Sequence, residues 1–197
     1  MTKNIGFMQG RLSPMDDGKI QSFPWKYWQN EFALASKYNF DLIEWTIDQH
    51  KIMQNPLMTE DGRYQIKNLS NKYKVNIPSL TGDCFMQSPF WKFFGDEKKS
   101  RINDLLKLVD ACSDLGIRII IIPLVDGGSI ENKDQLKSLL DVLNEIEHKL
   151  KDLDLRILFE SDLNPKDLKK FIDQFNPEVF GINYDIGNSA SLGYNHQ

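Results

Sequence analysis

The 197-residue sequence has few cysteines, no long apolar run and no paired metal-binding spacing. Its two cysteines, Cys84 and Cys112, are far apart, and neither belongs to a motif that holds zinc or closes a redox disulfide. We therefore expect two reduced thiols. The longest apolar run, residues 119–125, is much shorter than the roughly 20 residues that cross a bilayer, and no signal peptide opens the chain. These absences predict a cytoplasmic protein with no membrane partner.

The charge of the chain argues against nucleic acid as a partner. It carries 24 Lys and Arg against 28 Asp and Glu, and no basic block of the kind that neutralises phosphates. The composition, 41% hydrophobic and 26% charged, is that of a globular domain and excludes the disordered and fibrous classes. No low-complexity linker interrupts it. We expect residues 1–197 to form a single domain that takes a small, neutral or metal-bridged ligand.

Six short apolar segments, several of them rich in β-branched residues, predict six strands. They cover residues 5–9, 42–47, 75–81, 117–125, 155–159 and 179–184. Between them the apolar period is helical, most clearly in residues 105–115 and 136–153, and also in 24–38, 64–73 and 164–175. Strict alternation of strand and helix predicts right-handed parallel βαβ units. The segment 117–123, nearly continuous in branched aliphatics, is expected to be the deepest strand.

The length of the chain bears on whether these units form an open sheet or a barrel. An eight-unit barrel has roughly 250 residues, or about 31 per unit, so the chain is close to six units. A doubly wound sheet also fits that count. The first strand, however, leads into Gly10-Arg11-Leu12-Ser13-Pro14 instead of a Gly-x-Gly-x-x-Gly turn, and no phosphate loop is present. We therefore predict an α/β parallel (β/α) barrel with six of its eight units, incomplete at the C-terminus.

Polar residues collect after the predicted strands, where parallel barrels place their chemistry. They are Gln9, Arg11, Glu44, Asp48, Thr81, Asp83, Asp126, Glu160, Asp162, Asp185 and Asn188. Chains also become polar simply because they leave a sheet. Glu160 and Asp185 directly follow strands, and two carboxylates in one barrel mouth repel each other unless they share a proton or a cation. A hard divalent ion, Mn²⁺ or Mg²⁺, is the simplest partner for them.

Four segments resemble the xylose-isomerase-like TIM-barrel family of sugar and sugar-phosphate isomerases and epimerases. They are residues 6–13 (GFMQGRLS), 40–45 (FDLIEW), 158–160 (LFE) and 184–190 (YDIGNSA). The resemblance implies that Glu160 and Asp185 are metal ligands and that Glu160 is also the proton-transfer base. We assign Gln9, Arg11, Glu44, Asp83 and Asn188 to substrate binding. For Glu44, orienting a neighbouring Arg such as Arg11 is an equal alternative.

The sequence departs from the family in its metal site. The family completes that site with a His on the seventh strand and a Glu on the eighth, whereas this sequence stops at Gln197. His196 falls a few residues past the sixth strand, so it does not replace the missing ligand. Sites of this kind need at least three protein ligands. We therefore expect weak binding of Mn²⁺ or Mg²⁺, with Zn²⁺ or Co²⁺ as alternatives, and no activity from this chain alone.

The sequence thus predicts a sugar or sugar-phosphate isomerase or epimerase that moves a proton beside a carbonyl. Two alternatives remain open. One is an inactive barrel fragment or interaction module, because an open barrel edge invites pairing with another chain, including a second copy. The other is a metal phosphodiesterase of the apurinic-endonuclease type, against which the acidic charge argues.

Overall fold

Six parallel strands form one sheet in the computed structural model, which describes residues 5–15, 18 and 22–194. The strands are β1 (Gly6–Met8), β2 (Leu42–Thr46), β3 (Asn76–Thr81), β4 (Ile119–Leu124), β5 (Arg156–Ser161) and β6 (Phe180–Ile182). They lie in the sheet in chain order, and every neighbouring pair is parallel. Within the described residues β1 and β6 do not pair, so the sheet is open. The predicted incomplete barrel of six units is confirmed.

Helices connect the strands, as the alternating pattern predicts. They are α1 (Trp28–Lys37), α2 (Glu60–Tyr73), α3 (Asp83–Gln87), α4 (Gly95–Leu115), α5 (Lys133–Asp152), α6 (Pro165–Ile172) and α7 (Ile186–Ser191). Short 3-10 turns at Ile52–Gln54, Pro56–Met58, Phe90–Lys92 and Asp126–Gly128 were not predicted. No helix in the described ranges has the length and apolarity needed to span a membrane.

Several helix boundaries differ from the sequence prediction, among them the starts of α1, α4 and α5, and two further differences are at α2 and α6. Helix α2 begins at Glu60, four residues earlier than predicted, because the Thr59 side chain accepts a hydrogen bond from the Gly62 amide at 3.1 Å. Helix α6 begins where predicted, at Pro165, after an Asn164 cap that accepts from two amides. It ends at Ile172, before the end of the apolar stripe at Phe175, which remains buried.

The alternation of side chains along β2 separates a hydrophobic face from a polar one. On β2, Ile43 and Trp45 are fully buried beneath the helices, and the Trp45 ring lies 5.8 Å from that of Trp28 on α1. Glu44 lies on the opposite face. The β4 strand, IIIIPL, is buried at five of its six positions, as predicted for the deepest strand. The core therefore lies between sheet and helices, and the polar face is left for the candidate site.

Candidate active site

Gln9 lies directly after β1 and is 3% exposed. The Oε1 atom of its side chain accepts a hydrogen bond from the backbone amide of Thr46 at 3.2 Å, and the backbone amide of Gln9 donates to the Glu44 carbonyl at 2.9 Å. The side chain is thereby held across the ends of β1 and β2. Its Nε2 group is buried and has no hydrogen-bond partner among the residues that the structure describes.

A buried acid on α1, which we did not predict from the sequence, holds the loop that carries Arg11. Glu31 is 0% exposed, and both of its carboxylate oxygens accept from the Gly10 amide at 3.0 Å. Its Oε1 also accepts from the Leu12 amide at 3.2 Å and from Ser13 Oγ at 3.0 Å. Gly10 has a φ of 89°, a conformation that favours glycine. Burial raises the pKa of Glu31, and these hydrogen bonds oppose the rise.

The sequence did contain a signal for Glu31. It lies three residues after Trp28 and four before Ala35, so it belongs to the buried stripe of α1. An acid in such a stripe requires partners, because an unpaired buried carboxylate is costly. The identity of those partners depends on how the loop folds back over the helix.

We expect Glu31→Ala to destabilise the protein by about 2 kcal/mol, because it leaves the Gly10 and Leu12 amides and the Ser13 hydroxyl without their acceptor. Urea denaturation measures this loss, and amide hydrogen exchange at Gly10 and Leu12 should become faster. Asn30→Ala, an exposed neighbour on the same helix, is the matched control and should change stability by less than about 0.5 kcal/mol. Equal stabilities for the two variants would contradict this role of Glu31.

Glu44 and Asp48 are the acids associated with β2. The Glu44 carboxylate accepts from two hydroxyls of β3, Ser79 Oγ at 2.7 Å and Thr81 Oγ1 at 2.6 Å. Asp48 accepts from the Phe23 amide at 2.7 Å and from Gln87 Nε2 at 2.8 Å. Both acids are therefore fixed by protein donors, and Asp48 connects the end of β2 to the segment before α1 and to α3.

Asp83 is the first residue of α3 and is 3% exposed. Its Oδ2 is buried without a hydrogen-bond partner. Burial, followed by the negative charges of Asp48 and Glu160, raises the pKa of Asp83 to about 7, while Arg11 opposes the rise. The charges that shift the pKa of Asp83, which follows β3, therefore come from Arg11 after β1, from Asp48 after β2 and from Glu160 on β5. The adjacent Cys84 is buried, and burial raises the pKa of its thiol, so it is not a reactive cysteine.

Glu160 is the last residue but one of β5, and Asp185 lies three residues after β6, whereas the sequence predicted each of them directly after its strand; Asn188 connects them. Asn188 Nδ2 donates to Glu160 Oε1 at 2.7 Å, and the Asn188 amide donates to Asp185 Oδ1 at 2.9 Å. Burial and then the charge of Asp185 raise the pKa of Glu160, and hydrogen bonds from Asn183 and Asn188 oppose the rise. The two acids are thus close enough to repel. Asp185 also caps α7.

Glu160 and Asp185 are the kind of ligand that a hard divalent cation prefers, but they are fewer than the ligands that such a site needs. Two carboxylates that repel each other are suitable donors for Mn²⁺ or Mg²⁺. Among the described residues, however, no group of three His, Cys, Asp or Glu side chains is arranged to hold a metal. The described chain therefore presents two carboxylates of a possible site and does not form a three-ligand site by itself.

Other predicted polar positions lie at the margin of this cluster. Arg11 is exposed and contacts Met8 Sδ at 3.9 Å. Asp126 opens a 3-10 turn, and Asp162 Oδ2 accepts from Ser129 Oγ at 3.0 Å. His50 is exposed, and His196 lies outside the described residues. The structure thus brings Asp83 and Glu44 into the electrostatic environment of Glu160, with Asp185 and Asn188 beside it, while the charge of Arg11 acts on Asp83.

Comparison with known proteins agrees with this architecture. The family model described as xylose isomerase-like TIM barrel matches residues 32–197. The chain is similar in fold to a D-psicose 3-epimerase from Clostridium cellulolyticum H10, solved with D-tagatose, at 12% identity and a TM-score of 0.69, covering 95% of this chain and 65% of that one. It is also similar to a 3-keto-D-glucoside 4-epimerase from E. coli, at 13% identity and a TM-score of 0.65, covering 95% and 70%.

A third similar structure contains a metal. It is a xylose isomerase-like TIM barrel protein from Mycobacterium smegmatis in complex with magnesium, at 14% identity and a TM-score of 0.62, covering 84% of this chain and 58% of that one. This chain thus spans less than two thirds of the length of the magnesium complex and of the psicose epimerase. No curated protein sequence matches it. Six parallel units in chain order and a family model matching most of the sequence show that this chain belongs to the xylose isomerase-like TIM-barrel family.

Proposed function

We propose that the chain supplies six units of a metal-dependent sugar or sugar-phosphate isomerase or epimerase. The observation that carries this proposal is the Glu160 carboxylate, held at the end of β5 by Asn188 and placed beside Asp185. The epimerases among the similar structures support the reaction class. The whole protein would move a proton to and from a carbon next to a carbonyl.

Glu160 is the proposed proton-transfer group. A general base works best when its pKa lies near the working pH, and burial together with Asp185 raises the pKa of Glu160 in that direction. The Asn188 hydrogen bond of 2.7 Å to Oε1 fixes the carboxylate, and the contact from Asn183 to Oε2 is longer, at 3.5 Å. Oε2 is therefore the oxygen better placed to exchange a proton with substrate.

Glu160 and Asp185 would also contribute two ligands to a divalent ion. When bound, such an ion polarises a carbonyl oxygen and stabilises the negative charge that forms when the neighbouring carbon loses its proton. The remaining ligands would come from outside these six units. We therefore propose that the chain alone binds metal weakly and does not turn over substrate.

The substrate would extend from Glu160 and Asn188 over the ends of β1 to β3. Gln9, Glu44 and Asp83 are the buried or half-buried polar groups there, and Arg11 follows β1. Asn188, although bonded to Glu160, retains its side-chain oxygen for a substrate hydroxyl. Uncharged and phosphorylated sugars are both compatible with this general placement.

Mn²⁺ binding tests the proposed pair of ligands. Loss of even an outer-shell partner costs roughly 10- to 100-fold in metal affinity, so we expect Glu160→Gln and Asp185→Asn each to weaken Mn²⁺ binding at least about tenfold. Electron paramagnetic resonance of free Mn²⁺ measures this at millimolar protein. Asp162→Asn is the matched control, because Asp162 lies after the same strand but is bonded to Ser129. Unchanged affinity in the first two variants would remove the metal site from the proposal.

A ketose tests the reaction class in the same titration. D-Tagatose has a carbonyl beside a hydroxyl, so it should tighten Mn²⁺ binding, and Mn²⁺ should tighten sugar binding by the same factor. Galactitol, an alcohol formed when D-tagatose is reduced at the carbonyl, is the control ligand and should have a smaller effect. Equal effects of the ketose and the alcohol would argue against carbonyl chemistry at this site.

A further inference from the structure

Two side chains near the ends of β1 and β3 have unmet hydrogen-bonding capacity. Gln9 and Asp83 are each 3% exposed, and in each one polar atom, Gln9 Nε2 and Asp83 Oδ2, is buried with no partner. The Thr46 amide can only donate a hydrogen bond, so the Gln9 atom that it contacts must be the acceptor oxygen, Oε1. The unpaired atom of Gln9 is therefore its NH₂ group.

Buried polar groups without partners are uncommon in folded proteins, and each calls for a physical reason. Neither group contributes to the fold through that atom, since no acceptor or donor of residues 5–15, 18 and 22–194 bonds to it. An apolar residue of similar size at either position would avoid the desolvation cost. A ligand or an ordered water that hydrogen-bonds to these atoms accounts for both residues.

The position of Asp83 relates this pair to the candidate active site. The charges that act on Asp83 come from Glu44 and Asp48 at β2, from Glu160 at the end of β5 and from Arg11 after β1. Gln9 is bonded to the end of β2 through Thr46, and Thr46 pairs with Thr81, two residues before Asp83. The two unpaired atoms thus belong to buried side chains after β1 and β3, and the charge of Glu160 on β5 acts on Asp83.

We infer that Gln9 and Asp83 form a subsite for a hydroxyl group of an uncharged sugar. This inference rests on the proposed function and specifies its substrate. A hydroxyl accepts one hydrogen bond and donates another, so it can accept from Gln9 Nε2 and donate to Asp83 Oδ2, or accept from the Asp83 carboxyl group when that group is protonated. A phosphate cannot satisfy both groups as well, because the acids that surround Asp83 repel an anion.

The raised pKa of Asp83 agrees with this geometry. Near neutral pH a carboxyl group with a pKa of about 7 is protonated in about half of the molecules, so it can either donate to or accept from a hydroxyl. Arg11 lowers this pKa, whereas burial, Asp48, Glu160 and Glu44 raise it. Helix α3, which begins at Asp83, is too short to supply a separate anion site.

Sugar binding without metal tests the subsite. The intact chain is titrated with D-tagatose in a buffer with a chelator, and binding is followed by NMR line broadening and chemical shift changes. We expect saturable millimolar binding that is weakened at least about fivefold by Gln9→Met and by Asp83→Leu, each of which removes one hydrogen bond to the sugar. Gln9→Met also removes the acceptor of the Thr46 amide, so its stability is measured alongside. Asp83→Asn keeps a donor and an acceptor and should retain binding within about twofold.

Two controls test whether the effect is specific to these two residues and to an uncharged sugar. Ser138→Ala removes another buried hydroxyl without a partner, on α5, and should leave sugar binding unchanged. D-Tagatose 6-phosphate should bind no more tightly than D-tagatose. If Asp83→Leu does not fold, Gln9→Met with its circular dichroism spectrum carries the test.

Three results would overturn the subsite: no saturable binding by the unmodified chain, equal binding by Gln9→Met and the unmodified chain, or tighter binding of the phosphorylated sugar. The first two would leave the unpaired atoms to buried water. The outcome is independent of the proposed metal site, because these titrations contain no Mn²⁺. If the unmodified chain binds Mn²⁺ but not the sugar, the subsite alone is rejected. If it binds the sugar but Mn²⁺ binding does not depend on Glu160 and Asp185, the metal-dependent function alone is rejected.

Discussion

Asp83→Asn should raise the free energy of unfolding at pH 8 by up to about 4 kcal/mol. Burial and neighbouring acids raise the pKa of Asp83 from its ordinary value of 3.8 to about 7 in the folded protein. That change is about three units, and each unit corresponds to about 1.4 kcal/mol. Ionised Asp83 therefore destabilises the native state, and a neutral amide of nearly the same shape removes the penalty.

The pH dependence follows from the sign of this shift. Above pH 7 the carboxyl group is ionised in both folded and unfolded chains, and the full penalty is present. Between pH 7 and about 4 the folded chain holds the proton that the unfolded chain has lost, so the wild-type protein gains stability as the pH falls. Below pH 4 both forms are protonated and the penalty has disappeared. The difference between Asp83→Asn and wild type should therefore shrink steadily from pH 8 to pH 4.

Urea denaturation at pH 5, 6, 7 and 8 in metal-free buffer measures this difference. Asp141→Asn is the matched control: Asp141 is an exposed acid on α5 whose salt bridge to Lys137 lies at the surface, and its loss should cost less than about 1 kcal/mol at every pH. A constant difference between Asp83→Asn and wild type over this range would show that Asp83 titrates normally in the folded protein.

Phe159→Ala should destabilise the protein by about 3–5 kcal/mol, the range for removing a buried aromatic ring. Phe159 on β5 is 0% exposed, and its ring centroid lies 5.0 Å from that of Phe171, 5.1 Å from Phe175 and 6.2 Å from Phe180. These rings join β5, α6 and β6 into one aromatic cluster. Loss of the Phe159 ring leaves a cavity between sheet and helix, on the face of β5 opposite Glu160.

The same denaturation experiment compares Phe159→Ala with Phe94→Ala. Phe94 is 83% exposed, so its truncation leaves no buried cavity and should change stability by less than about 0.5 kcal/mol. Phe159→Leu, which keeps part of the volume, should lie between alanine and wild type. A loss below about 1 kcal/mol for Phe159→Ala would mean that the cluster rearranges to fill the space.

The sheet could be predicted from the sequence because each strand is a short apolar run, whereas the apolar residues of the helices recur with the helical period. The β4 segment was the clearest case, since a strand of branched aliphatics is buried wherever it lies. Helix ends were less predictable. Thr59 and Asn164 are both residue types that cap helices, but Asn is the better cap, and only Asn164 is followed by a proline that marks the boundary.

The sequence placed Glu160 and Asp185 directly after two strands, and this was only approximate: Glu160 lies inside β5, and Asp185 lies three residues after β6 as the cap of α7. The hydrogen bonds around them could not be predicted. Asn188 reaches Glu160 because Asp185 caps α7 and turns the chain back, a geometry that spacing alone does not specify. Glu31 was missed for a similar reason: its partner Gly10 lies 21 residues away, and their contact exists only after α1 packs beneath the loop.

The strand order has a consequence for synthesis on the ribosome. Every strand from β2 to β6 pairs with the strand that precedes it in the chain. Each newly emerged strand and helix therefore meets a partner that has already left the exit tunnel, and no strand has to wait for a later segment to provide its neighbour. Pauses in translation between units would leave partly made sheets with one growing edge, to which the next strand is added in order.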